Sequence, residues 1–202
     1  MSFKIKHFLL GMVRTNCYIV YNDKNEAVII DPADLPDKIA AFIDDNNLNP
    51  LAILLTHGHF DHVGGACYLR DRYNIKIYAD EHEKIVLNNR DYNLSSDFGM
   101  DISFDADVYI KDGDVLKLGD LIFKTVYTPG HTIGSTCYIL EDVVFSGDTL
   151  FAGTHGRTDF PTGSEGMIMR SIKDKLLKLD ENMTVYPGHD IETTIYEEKG
   201  YY

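Results

Sequence analysis

Thr56-His57-Gly58-His59-Phe60-Asp61-His62 follows directly on the apolar run Leu51-Ala52-Ile53-Leu54-Leu55. The run reads as a buried strand, and the turn behind it places three imidazoles and one carboxylate within six residues. Imidazole nitrogens and carboxylate oxygens are the donors that divalent zinc, iron and manganese take. A tight turn at a strand end can aim all four at one point. The local chemistry is that of a metal site.

Three further segments share this design. Ile122-Phe123-Lys124-Thr125-Val126-Tyr127 runs into Thr128-Pro129-Gly130-His131, Val143-Val144-Phe145 into Ser146-Gly147-Asp148, and Thr184-Val185-Tyr186 into Pro187-Gly188-His189. Each β-rich run ends in a glycine-containing turn that carries one His or Asp. Four strand ends then face one cleft, with the functional side chains collected beyond the carboxyl ends of the strands. Seven candidate ligands exceed the needs of one tetrahedral ion and suit two. Grouped by type, His57, His59 and His131 form one site, Asp61, His62 and His189 a second, and Asp148 is placed to bridge them. Two ions roughly 3.5–4 Å apart can lower the pKa of a water towards ~7 and clamp the charge that develops on a substrate.

On these motifs the chain resembles the metallo-β-lactamase superfamily. Its H-x-H-x-D-H pattern reads His57, His59, Asp61, His62, and its later ligand motifs read Gly130-His131, Gly147-Asp148 and Gly188-His189. The resemblance runs from Asn16 to His189. It implies an α/β fold, an αββα four-layer sandwich with the metal site at one edge of the sheets. Asp148 stands near the place where true β-lactamases usually carry a cysteine, so the pattern is similar to the glyoxalase II branch, which hydrolyses thioesters such as S-lactoylglutathione. Gly156-Arg157-Thr158-Asp159-Phe160-Pro161 is similar to the corresponding loop of short bacterial relatives and of persulfide dioxygenases. Only 13 residues, 190–202, follow His189. The helical C-terminal domain that supplies much of the glutathione pocket in long glyoxalases II is therefore not expected, nor a firm grip on glutathione.

Composition is that expected of one soluble domain over 1–202. The chain has 44% apolar residues and a net charge of -13, which gives a sizeable core and argues against nucleic-acid or anionic-membrane partners. No apolar run approaches the ~18 residues of a membrane span. The first residues, Met1 to Gly11, read as a strand and not as a signal peptide. Cys17, Cys67 and Cys137 form no C-x-x-C pair, and their odd number fits reduced thiols packed as small hydrophobes in a cytoplasmic protein. A monomer or small homo-oligomer is expected.

Strands are predicted near 3–9, 16–21 and 26–30, with Asp31-Pro32 breaking the run. Helices are predicted over 35–47, with a stripe of Leu35, Ile39, Phe42 and Ile43, and over 63–73, where Gly64-Gly65 would let the first turn approach the metals. Asp112-Gly113-Asp114 and Leu118-Gly119-Asp120 read as turns of a second antiparallel unit. Ser164 is expected to cap a last helix through 179, with Met167, Ile168, Ile172, Leu176 and Leu179 inward. His155 and Arg157 are candidate substrate contacts, against a loop held by an Arg157–Asp159 ion pair. The segment 88–104 reads equally as a lid or a solvated connection. His7 and His82 read as solvated.

The implied reaction is attack of water on a thioester carbonyl, with Asp61 as the catalytic residue that orients it and two zinc ions as cofactor, iron or manganese being the other options. The alternative is a persulfide dioxygenase with a single iron on His57, His131 and Asp148.

Overall fold

A computed structural model describes residues 2–202, so Met1 of the expected 1–202 domain lies outside it. Its strands are β1 (Phe3–Leu10), β2 (Thr15–Asn22), β3 (Glu26–Ile30), β4 (Asn49–Leu54), β5 (Lys76–Asp80), β6 (Val108–Ile110), β7 (Val115–Leu118), β8 (Leu121–Tyr127), β9 (Thr136–Leu140), β10 (Val143–Gly147), β11 (Thr184–Pro187) and β12 (Thr193–Thr194). The helices are α1 (Pro36–Asp45), α2 (Phe60–Val63), α3 (Ala66–Tyr73), α4 (Lys84–Leu87), α5 (Glu165–Arg170) and α6 (Ile195–Glu198).

Two six-stranded mixed sheets form, in the orders β1-β2-β3-β4-β5-β6 and β12-β11-β10-β9-β8-β7. Strand side chains alternate between faces, and both faces of each sheet are covered. In β2, Cys17 and Ile19 join a core with Ile39, Ile43 and Leu69 of α1 and α3, while Tyr18 and Val20 face the other sheet. In β9, Tyr138 and Leu140 face inward, and Cys137 packs outward with Ile168, Ile172 and Leu176. The result is the expected helix–sheet–sheet–helix sandwich. Each fully buried Ile or Leu contributes ~1.5–3 kcal/mol to holding the layers together.

The predicted early strands are present as β1, β2 and β3, and the two Asp-Gly and Gly-Asp turns flank β7, which pairs antiparallel with β8. Several helix details differ. Leu35 is not part of the α1 stripe: it precedes Pro36, takes left-handed backbone (φ 48) and is 53% exposed. The second helix is split into α2 and α3 at Gly64-Gly65, and these glycines approach neighbouring backbone closely. A Cβ at Gly64 would overlap the Ala33 carbonyl, and Gly65 donates its N–H to Pro32 O at 2.7 Å. The last helix loses α geometry after Arg170, widening into a π turn over Ser171–Lys175 where the Ser171 hydroxyl donates to Pro129 O at 2.8 Å. Ser164 precedes α5 without a side-chain cap, although Ile168 and Ile172 of the predicted stripe are buried. No helix among the described residues is long and apolar enough to cross a membrane.

Candidate metal centre

The turn after β4 is clamped from the opposite sheet before any ligand appears. The Tyr138 hydroxyl donates to Leu55 O at 2.8 Å, and Thr136 N donates to Thr56 O at 2.9 Å. His57 and His59 then follow, His59 in extended backbone, and Asp61 and His62 lie within α2. From the second sheet, β8 leads to His131, β10 to Asp148 and β11 to His189. Gly130 takes φ +142, and a Cβ there would overlap the Ile168 backbone, so only glycine fits this bend.

The seven side chains converge. Ligand atoms of His57, His59 and His131 lie within 4.8 Å of one another, as do those of His57, His62 and Asp148, and those of Asp61, His62 and His189. The groups share His57 and His62, so they form one continuous cluster. His59 Nδ1 and His131 Nε2 are 2.9 Å apart. Asp148 sends one oxygen to within 3.3 Å of His62 Nε2 and the other to within 3.4 Å of His131 Nε2, which places it between the two outer groups. The trio His57, His131 and Asp148 is not one of the convergent groups among the described residues.

Buried His57 Nε2, His59 Nε2, His62 Nε2 and Asp148 Oδ1 lack any hydrogen-bond partner. Leaving one buried polar atom unpaired costs ~1–3 kcal/mol, so four in one cluster call for a ligand that satisfies them together. Their donor chemistry, imidazole with carboxylate, fits divalent metal. Burial, aided by neighbouring histidines, drives His57 and His59 well below the ordinary imidazole range and lowers His131 as well. Those rings are therefore neutral and free to donate lone pairs. Burial opposes ionisation of Asp148, yet the charge of His62 beside it holds its carboxyl down at about 2. Asp61 is likewise held low against burial by His62, His189 and Thr15, and His62 and His189 are raised by the carboxylates around them despite burial.

An outer ring of polar groups fixes the orientations. Asp31, at the end of β3, takes the Thr56 N–H at 2.8 Å and hydroxyl at 2.6 Å and pairs with His62 Nδ1 at 2.8 Å, turning Nε2 toward the cluster. His131 Nδ1 pairs with Arg157 O at 2.7 Å, and the Thr15 hydroxyl donates to Asp61 Oδ2 at 2.7 Å. Glu83, wholly buried, joins two ligand loops: Oε1 takes the Gly58 N–H at 2.7 Å, and Oε2 takes the Thr132 hydroxyl at 2.9 Å. Burial pushes its carboxyl up to about 7 against these donors and Gly134 N–H. Sequence reading missed Asp31, Thr15 and Glu83. Asp31 does carry a signal, because it ends an apolar strand just as the ligand turns do.

A cleft of about 510 Å³ opens onto His59, Asp61, His131, Asp148 and His189. His155 and Arg157 both line it. The Arg157–Asp159 pair also forms, at 2.9 and 2.7 Å, and His155 Nδ1 pairs with Gly156 O at 2.9 Å. The segment 88–104 reaches the cleft through Leu94, Asp97 and Phe98 and is anchored beside α2, where Phe60 N donates to Asn93 O at 2.8 Å. His7 and His82 lie apart from the cluster, against Tyr18 and Tyr127.

Close packing leaves no room for a methyl at Gly188, where a Cβ would overlap Asp148 Oδ1 and come within 2.7 Å of His62 Cε1. Gly188→Ala should cost ~1–3 kcal/mol through overpacking and reduce bound metal. Gly166→Ala in α5, with only Arg170 Nη1 nearby at 3.7 Å, should retain metal and gain ~0.5–1 kcal/mol from helix propensity. Equal metal content in the two variants, measured by elemental analysis beside melting temperature, would contradict this reading of Gly188.

A family model of the metallo-beta-lactamase superfamily matches residues 10–189. The chain belongs to this superfamily. Among its members, the Bacillus subtilis protein named "Probable metallo-hydrolase YqgX" is 36% identical over 200 residues, covering 97% of this chain and 94% of its own. Hydroxyacylglutathione hydrolase GloC of Haemophilus influenzae is 35% identical over 192 residues, covering 91% and 89%. Among solved structures, BLEG-1 B3 metallo-beta-lactamase superposes with a TM-score of 0.93 at 39% identity over 98% of this chain and 97% of its own. TTHA1623 in a di-iron-bound form gives 0.86 at 33% identity over 96% of each chain. Superfamily membership and the convergent His/Asp group identify a metal-binding hydrolase.

Proposed function

We propose that this superfamily member hydrolyses a small-molecule thioester with two zinc ions held by His57, His59, His131, Asp61, His62, His189 and Asp148. The observation that carries the reading is the continuous cluster of three ligand groups with four unpaired buried atoms, more donors than one ion can use. Similarity to GloC supports the thioester, and the di-iron state of TTHA1623 supports two ions on this fold. When bound, the metals would acidify a water and polarise the carbonyl oxygen. The chain's residues do the rest. Asp61, fixed by the Thr15 hydroxyl, orients the attacking water, and the cleft holds the acyl group in line with it. Asp31 and the Arg157 carbonyl keep His62 and His131 facing the cluster. No protein nucleophile is required, and a thiolate leaves with little need of a proton. We place the enzyme in the cytoplasm because no disulfide joins its three cysteines, and its acidity makes nucleic acid and anionic membrane poor partners.

Protein purified without added metal should contain close to two zinc ions per chain and hydrolyse simple thioesters. One tightly held iron, with oxygen consumed on a persulfide and no thioester turnover, would replace this assignment by the dioxygenase. Similarity to BLEG-1 adds a β-lactam to the assay panel, and turnover of the β-lactam alone would likewise displace it.

A further inference from the structure

The cleft above the metal ligands is walled by rings. Phe160 sets its edge against His59 at 5.7 Å and Phe151 against His189 at 5.9 Å, so an aromatic flanks each end of the ligand cluster. Phe98, which lines the same cleft, stacks on Phe60 at 4.3 Å and stays 46% exposed. Leu94 completes that wall from left-handed backbone (φ 65), a strained conformation for a branched residue that surrounding contacts must enforce. Those contacts exist: Asn93 pairs with Phe60 N, Ser95 N and Ile102 O at 2.8–2.9 Å. The wall is a built surface and not a solvated connection.

Charge on the cleft is already spoken for. Arg157, the one Lys or Arg among the described residues that lines it, gives its guanidinium to both oxygens of Asp159 and lies over Phe160 at 4.1 Å. His155 Nε2 faces Glu165 at 3.6 Å, and Asp97 adds a negative charge at the rim. A glutathione moiety carries two carboxylates, and recognition of a carboxylate calls for a free, preferably bidentate cation. No such group among the described residues lines this cleft, whereas six apolar side chains do.

We propose that the cleft seats an apolar, uncharged acyl group, aryl or medium-length alkyl, against the ring-lined walls to which Phe98 and Phe160 both belong. The bond attacked rests on the thioester reading; the acyl preference rests on the walls alone. An aromatic ring entering such a cleft loses water and gains offset or edge contacts.

Two measurements separate the proposal from the reading beneath it. In the first, zinc-loaded protein is titrated calorimetrically with phenylacetate and with lactate, each having a carboxylate for the metals and differing in what fills the cleft. Phenylacetate should bind at least ~10-fold more tightly, and Phe98→Ala should shrink that ratio to within about threefold. Phe98 is half exposed, so its truncation empties no core; Phe160→Ala provides a second variant with the same expectation. In the second, kcat/KM is compared for phenylacetyl, hexanoyl and acetyl thioesters of the neutral thiol N-acetylcysteamine and for S-lactoylglutathione. The apolar acyl groups should lead by at least ~10-fold. Equal binding of the two acids, or a preference untouched by both Phe variants, would overturn the proposal even if thioesters are turned over. Preference for phenylacetate without hydrolysis of any thioester would uphold the pocket and sink the thioester reading instead.

Discussion

Replacing Asp61 with alanine is expected to lower thioester turnover by ~10²-fold or more and to cut the metal content toward one ion per chain. Asp61 Oδ2 lies 3.3 Å from His189 Nε2 and 3.5 Å from His62 Nε2, so these three present their donor atoms to a common point. Thr15 holds the carboxylate in that pose from the first turn of β2. Alanine removes a ligand and the group that aims the water together, while His57, His59 and His131 remain for the other ion. In a single-iron enzyme using His57, His131 and Asp148, Asp61 would bind no metal and its loss would leave stoichiometry unchanged. Metal analysis and turnover on one Asp61→Ala preparation decide between these. Wild-type values for both would remove Asp61 from the mechanism.

Glu83→Gln is expected to weaken metal binding by about 10–100-fold without changing any ligand. The carboxylate receives donors on both oxygens, Gly58 N–H on one and the Thr132 hydroxyl on the other. An amide must turn its own N–H groups toward one of those donors, losing a buried hydrogen bond worth ~1–3 kcal/mol. Gly58 lies between His57 and His59, and Thr132 follows His131, so the lost bond loosens the three-histidine group. Chelator competition gives the affinity, and circular dichroism on the same sample shows that the fold persists. Unaltered affinity would mean that the two loops hold their places without Glu83.

The ligand set is legible in the sequence because its chemistry is local. Strand, turn, glycine and donor occur within a few positions at four places, and that pattern holds whichever sheet each strand joins. Asp31 is half legible: it stands at a strand end, but its partners Thr56 and His62 lie 25 and 31 residues away. Glu83 is illegible, since Asp80, Glu81 and Lys84 surround it and the segment reads as solvated. Its burial is decided by contact with Thr132, 49 residues on. The helix ends are illegible for the same reason. Gly64-Gly65 and the π turn at Ser171 answer to neighbouring backbone, at Pro32, Ala33 and Pro129, and not to local propensity.

The cluster also straddles the seam between the two sheets. His57, His59, Asp61 and His62 descend from the first and His131, Asp148 and His189 from the second, with Asn16 N and the Tyr18 hydroxyl reaching across to Gly188 O and Pro187 O at 2.7 Å each. Ions seated there rivet one half of the chain to the other. Binding to the folded state alone at 100 times Kd adds about 2.7 kcal/mol to stability, a large share of what a domain of this kind possesses. Free-ion concentration would then govern how long the polypeptide survives proteases as well as how fast it works. Metal scarcity would clear the protein from its surroundings instead of leaving a dormant pool to be reloaded.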